Sequence, residues 1–383
     1  MEIDTIIEKL KEIESDWNYA IITLNNKNSR HSKVVSWELA WIRILEKYYR
    51  EEFADLIKDE ITIRISKWRE LIKDTDLLFL KNLDDDQNWP IDRKRLFLFC
   101  PERIQYSLER LKHYTATDPR DFQRYMVLTN YDMHIDLIRE IYSKKPWYEI
   151  IESNSVCQMH TMHVKEKGTS FWFSIINIWI WPSNAKTVTD HLAVLRPKLF
   201  IMIWHCWWLR NHQEIWEFVL ADKFVTDSSL INKISRIRYP LPIIPTFNLN
   251  IALKNILEKN CVNYRLWTVF TTEDRNWELN YNEYKAYFDE DRSVAIDMES
   301  AIISAQWFKY KVPNATLLMI SDKPLHWKLK KSKQSKEFYA ESKQIHLKVL
   351  CEFLEEIFCN EEQCLLHNML WAMLWAKDDT IFK

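Results

Sequence analysis

Apolar residues recur at three- and four-residue spacing between charges over 6–13, 37–57 and 61–72, a periodicity that predicts helices in the first hundred residues. A polar break, Asp84-Asp85-Asp86-Gln87-Asn88-Trp89-Pro90, interrupts this region. The texture changes after Pro146. Short apolar runs at 173–180, 198–204, 216–220, 266–271, 293–297 and 315–321 alternate with helix-like stretches at 187–195, 246–257, 300–308 and 338–358. Strands alternating with helices predict an α/β fold, a mixed or parallel sheet flanked by helices on both faces. We therefore expect an N-terminal, mainly helical or α+β domain over 1–145 that serves regulation or oligomerisation. A catalytic domain over 146–358 and a C-terminal extension over 359–383 follow it.

Glycine alters this picture. The chain has one glycine, Gly168, and 19 tryptophans, where about 7% glycine would give roughly 27 residues. Glycine supplies positive φ and lets backbone approach a ligand closely, and tryptophan is the worst steric substitute. Trp179, Trp181, Trp204, Trp207 and Trp208 follow the apolar runs 173–178 and 198–203. Those runs read as buried strands ending in loops, the junctions where an α/β protein wants small residues. Real tryptophans, deliberate replacement and UGA codons read as glycine in the source but translated as tryptophan are the three explanations. The last accounts for the excess, for the deficit and for the concentration of tryptophan at turn-like sites, and is the favoured reading. It predicts UGA at those codons and UGG at Trp277.

The remaining composition narrows the class. The net charge of -2 gives no reason to expect nucleic-acid partners. Seven cysteines, an odd number with no paired framework, suit a reducing compartment, and the N-terminus has no signal-peptide pattern. No apolar run reaches the roughly 18–20 residues of a membrane span. The expectation is a cytoplasmic chain without membrane or nucleic-acid contacts.

Read with glycine at the tryptophan positions, 177–197 (NIWIWPSNAKTVTDHLAVLRP), 204–210 (WHCWWLR), 272–279 (TEDRNWEL), 297–300 (DMES) and 321–326 (SDKPLH) occur in the order of a known family. With 113–116 (HYTA) and 128–134 (LTNYDMH), this set resembles AMP nucleosidase, of the nucleoside phosphorylase superfamily. The likeness runs from about 106 to 356; the first hundred residues match poorly. It implies a nucleoside phosphorylase-like sheet and hydrolysis of the N-glycosidic bond of AMP to adenine and D-ribose 5-phosphate. It further implies no metal or organic cofactor, a homo-oligomer of hexameric type, and ATP and phosphate as effectors.

The chemistry constrains the residues independently. Breaking an N-glycosidic bond calls for a carboxylic acid at the departing base and polar groups at the ribose hydroxyls. Asp322 follows the run 315–320, at the carboxyl end where open α/β sheets bind ligands, and the resemblance implies that it protonates N7 of adenine. A cap or turn is the competing reading. Glu299 follows the run 294–296, and the resemblance assigns it the ribose 2′- and 3′-hydroxyls, with Met298 packed on the sugar. Asp297 reads as structural. Trp277 belongs to the family pattern beside Asn276 and stacks on the purine or fills the core. The loops carrying the tryptophans would present backbone N–H groups to the phosphate at the start of a helix containing Ser183, Asn184, Lys186 and Thr187. Lys186 and Arg210 are charge partners for the phosphate or members of ion pairs, and His205 sits in the second loop.

Other clusters carry less. Cys206 beside His205 reads as inert core, and Cys157 with His160 and His163 lacks a second ligand pair for a metal. Cys359, Cys364 and His367 are no stronger. The basic run 328–336 reads as a lid or as a solvated loop. Arg124, Tyr131 and His134 lie in a family-like stretch, which makes them candidates to reach the phosphate of the same or a neighbouring subunit. A phosphate-dependent purine nucleoside phosphorylase and, if the tryptophans are real, a non-catalytic nucleotide sensor are the alternatives.

Overall fold

A computed structural model describes residues 101–153, 155–169, 172–195, 197–210, 214–234, 243–310, 312–326 and 332–360, with Asp4, Thr5, Glu8, Cys364 and the segments 18–26, 29–36 and 60–67. Two compact units form, 1–121 with 194–196, and 122–193 with 197–383.

In the first unit, β1 (Asn18–Asn26) pairs antiparallel with both β2 (Ser29–Ser36) and β3 (Glu60–Lys67). The helix expected over 61–72 is thus a strand through Lys67. The reason is in the residues: Ile61, Ile63 and Ile65 alternate with Thr62, Arg64 and Ser66, and this period of two in β-branched residues outweighs the helical spacing of a wider window. Ile61, Ile63 and Ile65 face Leu24, Ile22 and Ala20 in register. Of 6–13 only Glu8 is described, and it is helical. The expected helix at 37–57 and the break at 84–90 lie outside the described residues. Helix α1 (Pro101–Thr115) ends on Lys112 and His113, cations suited to the negative end of the helix dipole.

The second unit is α/β. Its sheet has nine strands in the order β11-β10-β9-β12-β8-β4-β7-β6-β5, formed by β4 (Tyr125–Thr129), β5 (Tyr148–Glu152), β6 (Thr161–Glu166), β7 (Trp172–Asn177), β8 (Leu199–Trp208), β9 (Phe218–Thr226), β10 (Tyr264–Thr271), β11 (Ala295–Asp297) and β12 (Asn314–Asp322). The pairings β7/β4, β4/β8, β8/β12, β9/β10 and β10/β11 are parallel. A short antiparallel pairing of Ala295 and Ile296 with Trp208 and Trp207 joins β11 back to β8, so β8–β12 close on themselves. Each predicted run from 173 onward falls on one of these strands. Buried on both faces, β4 and β8 read as unbroken apolar runs.

Helices α2 (Asp132–Ser143), α3 (Pro182–Leu192), α4 (Phe247–Lys259), α5 (Tyr281–Asp291), α6 (Ser300–Tyr310) and α7 (Ser332–Cys359) flank the sheet. Leu249, Leu253, Ile256 and Leu257 of α4 and Leu347, Leu350, Phe353, Leu354 and Ile357 of α7 join Val127, Ile175, Ile201, Ile203 and Leu317 of the strands in one core. Among the described residues no helix is long and apolar enough to cross a membrane.

Strand β8 corrects one expectation. It continues through Trp208 instead of opening into a loop at Trp204, so 204–208 is sheet, and Trp204, Cys206 and Trp208 are buried. The first tryptophan segment is a loop, and there the backbone is unusual. Six non-glycine residues among those described adopt positive φ: Ala116, Cys261 and Arg292 at 52°, 54° and 62°, and Trp179, Trp181 and Trp216 at 59°, 115° and 90°. The first three follow the ends of α1, α4 and α5, where a left-handed residue terminates a helix. The tryptophans do not follow helices. Each such conformation costs on the order of 1–3 kcal/mol for a residue with a Cβ.

Candidate active site

The segment between β7 and α3 and the segment between β11 and α6 meet at a carboxylate. Glu299 is fully buried, and its Oε1 accepts a 2.7 Å hydrogen bond from the backbone N–H of Trp181. Its Oε2 makes no hydrogen bond among the described residues, and neither does the buried amide of nearby Asn130. Burial, reinforced by the neighbouring charge of Asp297, pushes the carboxyl up to about 8; the Trp181 N–H and the amide of Asn130, at the end of β4, pull the other way without matching it. A buried carboxyl with one oxygen fixed and the other unpartnered is prepared to bond hydroxyls.

Asp297 has a different task. Its Oδ1 accepts from Thr271 Oγ1 at 2.5 Å, and its Oδ2 accepts from the backbone N–H groups of Ser300 and Glu299 at 2.9 and 3.4 Å. It therefore caps α6 and fixes the turn that aims Glu299. Met298 between them is buried.

Asp322 closes β12. The β12/β8 register shifts between Ile320 and Asp322, a bulge that lets a strand-end side chain turn out of the sheet. Ser321 Oγ donates to Asp322 Oδ2 at 2.6 Å. The carboxyl of Glu278 is raised mainly by burial, with Asp274 and Asp322 adding to it, which puts a second acid near Asp322. Lys323, the next residue, is fully buried.

Several expected contacts resolve differently. The backbone N–H groups of Trp179 and Trp181 are spent on Asn177 Oδ1 and Glu299 Oε1, not turned towards a free anion position. Lys186 donates to Asp190 Oδ2 at 2.5 Å, in a network where Gln306 and Tyr310 of α6 donate to Asp190 Oδ1 at 2.7 and 2.6 Å. Burial pushes Asp190 up, yet Lys186 and Tyr310 hold it below its ordinary value. Lys186 thus braces α3 against α6. Arg210 donates to the carbonyls of Ser293 and Phe288 at 3.0 and 2.7 Å and lines a cleft of about 330 Å³ with Trp208, Arg265 and Trp267, away from Glu299 and Asp322.

Trp277 is fully buried among Leu209, Phe270, Tyr284, Phe288 and Ile296, so the core reading prevails over stacking on a base. Asn276 is exposed, and its backbone N–H bonds to Asp274 Oδ1 at 2.8 Å. Ser183 is exposed, Thr187 is half-buried, and Asn184 Nδ2 donates to the carbonyl of Ile180 at 3.1 Å, closing the first turn of α3.

His205 faces a buried histidine group that the sequence does not advertise. Its ring centroid lies 6.5 Å from that of His134 and 5.1 Å from that of His346, and its Nε2 is 3.3 Å from Ser342 Oγ. Tyr131 packs on Trp204 with ring centroids 4.1 Å apart. Burial drives His134 down to about 3 and His346 well below the usual histidine value, so both are neutral. Cys206 is buried and its thiol is pushed up by burial, the state of an inert core cysteine. His160 bonds both Asp132, at 2.9 Å through Nδ1, and Glu152, while His163 is 2.9 Å from Ser174 Oγ in the sheet. Among the described residues no group of His, Cys, Asp or Glu is placed to hold a metal. The tail positions beyond Cys364 and 328–331 of the basic run lie outside the described residues, whereas 332–336 form the first turn of α7 and not a loop.

No family model matches the chain. The chain is 34% identical over 299 residues to the AMP nucleosidases of Escherichia coli K12 and O157:H7, an alignment that covers 68% of this chain. It spans 60% of the length of those curated relatives. Among solved structures, an AMP nucleosidase from Bacteroides thetaiotaomicron superposes with a TM-score of 0.54 at 23% identity, over 68% of this chain and 99% of that one. Helicobacter pylori MTAN superposes with a TM-score of 0.50 at 16% identity, over 61% and 100%. At these identities the superpositions establish the fold alone, the one this chain shares with those two structures.

Proposed function

We propose, for a chain homologous to AMP nucleosidase over 68% of its length, that it hydrolyses the N-glycosidic bond of AMP to adenine and D-ribose 5-phosphate. The observation that carries this reading is Glu299, a buried carboxyl anchored through one oxygen and unpartnered at the other. In this reading Glu299 Oε2 takes the ribose hydroxyls. Asp322 delivers a proton to the purine as the bond to the anomeric carbon lengthens, and water adds to the oxocarbenium-like sugar. The electron pair of the C–N bond leaves with the protonated base. The water's surplus proton goes to solvent, and Asp322 regains a proton from solvent, so no net proton is consumed.

The test is release of adenine and ribose 5-phosphate from AMP, in buffer without phosphate, by protein produced in its own host. Turnover without phosphate supports hydrolysis. Turnover that requires phosphate and leaves a sugar phosphorylated at its anomeric carbon would indicate a phosphorylase, and AMP binding without turnover would indicate a sensor. The reading extends to a cytoplasmic homo-oligomer with ATP and phosphate as effectors, on the strength of the family likeness.

The Lys186–Asp190 pair makes a separate prediction. Lys186→Met is expected to lower stability by about 1–3 kcal/mol, through the charged hydrogen bond it removes from a largely buried network. Its KM for AMP should stay within about threefold of the parent, less than the loss of a charged hydrogen bond to substrate would give. A tenfold or larger rise in KM with unchanged melting temperature would return Lys186 to the phosphate.

A further inference from the structure

We propose that positions 179, 181 and 216 are glycine in the working protein. The geometry points there without reference to any activity. Three of the six non-glycine residues with positive φ among those described are tryptophans, in a chain with a single glycine. Trp181 has φ 115° and ψ 134°, far from the small left-handed helical well that residues with a Cβ sometimes occupy, and in a region essentially restricted to glycine.

At each position a backbone N–H is held by the surrounding structure; the Trp179 indole also donates to the carbonyl of Gln158, from a half-exposed position. The N–H of 179 meets Asn177 Oδ1 at 3.0 Å and that of 181 meets Glu299 Oε1 at 2.7 Å. The N–H of 216 donates to the carbonyl of Ile320 at 3.1 Å, and Ile320 returns a 3.0 Å bond to the carbonyl of Glu217. The first two bonds organise the loop that anchors the buried carboxylate. The last pair fixes the end of β12 two residues before Asp322. Packing gives no rival reason for tryptophan: the side chains at 179, 181 and 216 are 51%, 45% and 36% exposed, whereas Trp277 is fully buried among apolar neighbours. Trp204, Trp207 and Trp208 have strand backbone and are outside this inference.

The coding route is simple. UGA differs from UGG, the tryptophan codon, in the third base and from GGA, a glycine codon, in the first. A host that reads UGA as glycine, and a translation that reads it as tryptophan, yield one chain from one gene with tryptophan at the glycine sites. In the glycine form the loop before α3 keeps both backbone bonds and loses two exposed indoles close to Glu299.

Peptide mass spectrometry of the protein purified from its own host decides this independently of enzyme activity. We expect glycine at 179, 181 and 216, tryptophan at 277, and UGA at the first three codons against UGG at the last. Tryptophan at any of the three overturns the inference for that position. A second measurement needs only recombinant protein: Trp179→Gly, Trp181→Gly and Trp216→Gly together should raise the melting temperature, while Trp277→Gly lowers it. A melting temperature lowered by the triple substitution would show that the indoles stabilise the fold and would overturn the proposal. Adenine release plays no part in either readout, so the decoding inference and the hydrolase reading stand or fall separately.

Discussion

Asp322→Asn is expected to lower kcat for adenine release from AMP by about 10²–10⁴-fold, the usual contribution of a positioned general acid. Asparagine has nearly the same shape, and its amide oxygen can still accept the 2.6 Å bond that Ser321 Oγ gives to Oδ2. What it lacks is a proton to transfer. Because the loss falls on the step in which the purine departs, kcat should carry most of it while KM stays within a few-fold. Substrates with a better leaving group than adenine should recover much of the rate, since they need less protonation. Initial rates in an AMP-hydrolysing chain measure all three quantities. A reduction below tenfold with a lowered melting temperature would make Asp322 the turn cap that its sequence context also allows, and the general acid would then have to be sought in Glu278, whose carboxyl is raised by burial close by.

The fold was legible where one physical signal dominated. The apolar runs at 315–321 and 198–204 are strands because they are buried on both faces, and parallel central strands have no polar side to disguise them. Legibility failed where two periods competed, as at Ile61, Ile63 and Ile65, and where cooperation between distant segments makes the structure, as in the pairing of Trp207 and Trp208 with β11. For the candidate site, the Met-Glu and Ser-Asp-Lys-Pro patterns single out Glu299 and Asp322, but nothing local to either predicts the bond from 181 to Glu299, which spans 118 positions. Lys186 and Arg210 were the natural phosphate partners by charge. Both turn out to be committed elsewhere, to Asp190 and to two backbone carbonyls. A basic residue near a loop is cheap to propose because sequence reveals its charge and conceals its partners. The buried histidines 134, 205 and 346 were invisible as a group for the same reason: they come from α2, β8 and α7, and only the packed sheet brings them together.

Glu299→Gln should make the protein more stable and less active, and the two effects should separate with pH. The folded carboxyl titrates at about 8 against an ordinary value of 4.5, with burial as the chief cause and Asp297 adding to it. Between those values the folded chain keeps a proton that the unfolded chain releases, so stability falls as pH rises from 4.5 to 8. Below 4.5 both states are protonated and the penalty vanishes; above 8 both are ionised and it is complete. At about 1.36 kcal/mol per pH unit, the roughly 3.5 units between the two values set an upper bound on the order of 4–5 kcal/mol. Glutamine fills the same volume, accepts the N–H of 181 through its amide oxygen and never ionises. Its melting temperature should therefore match the parent near pH 4.5 and exceed it by pH 8, in the chain as translated and in the glycine form alike. Above about pH 8, where the parent is ionised, the activity should move the other way: a neutral amide bonds the ribose hydroxyls more weakly than a carboxylate, and kcat/KM for AMP should drop by about 10–10³-fold, in line with one or two charged hydrogen bonds lost in the transition state. Thermal melts across this pH range, beside AMP kinetics above pH 8, test both halves. Parallel melting curves for the two proteins would mean that Glu299 ionises outside the window. A divergent pair with unchanged turnover would leave a buried carboxyl that burdens the fold without serving the sugar, and the anchor from 181 would then have no catalytic purpose.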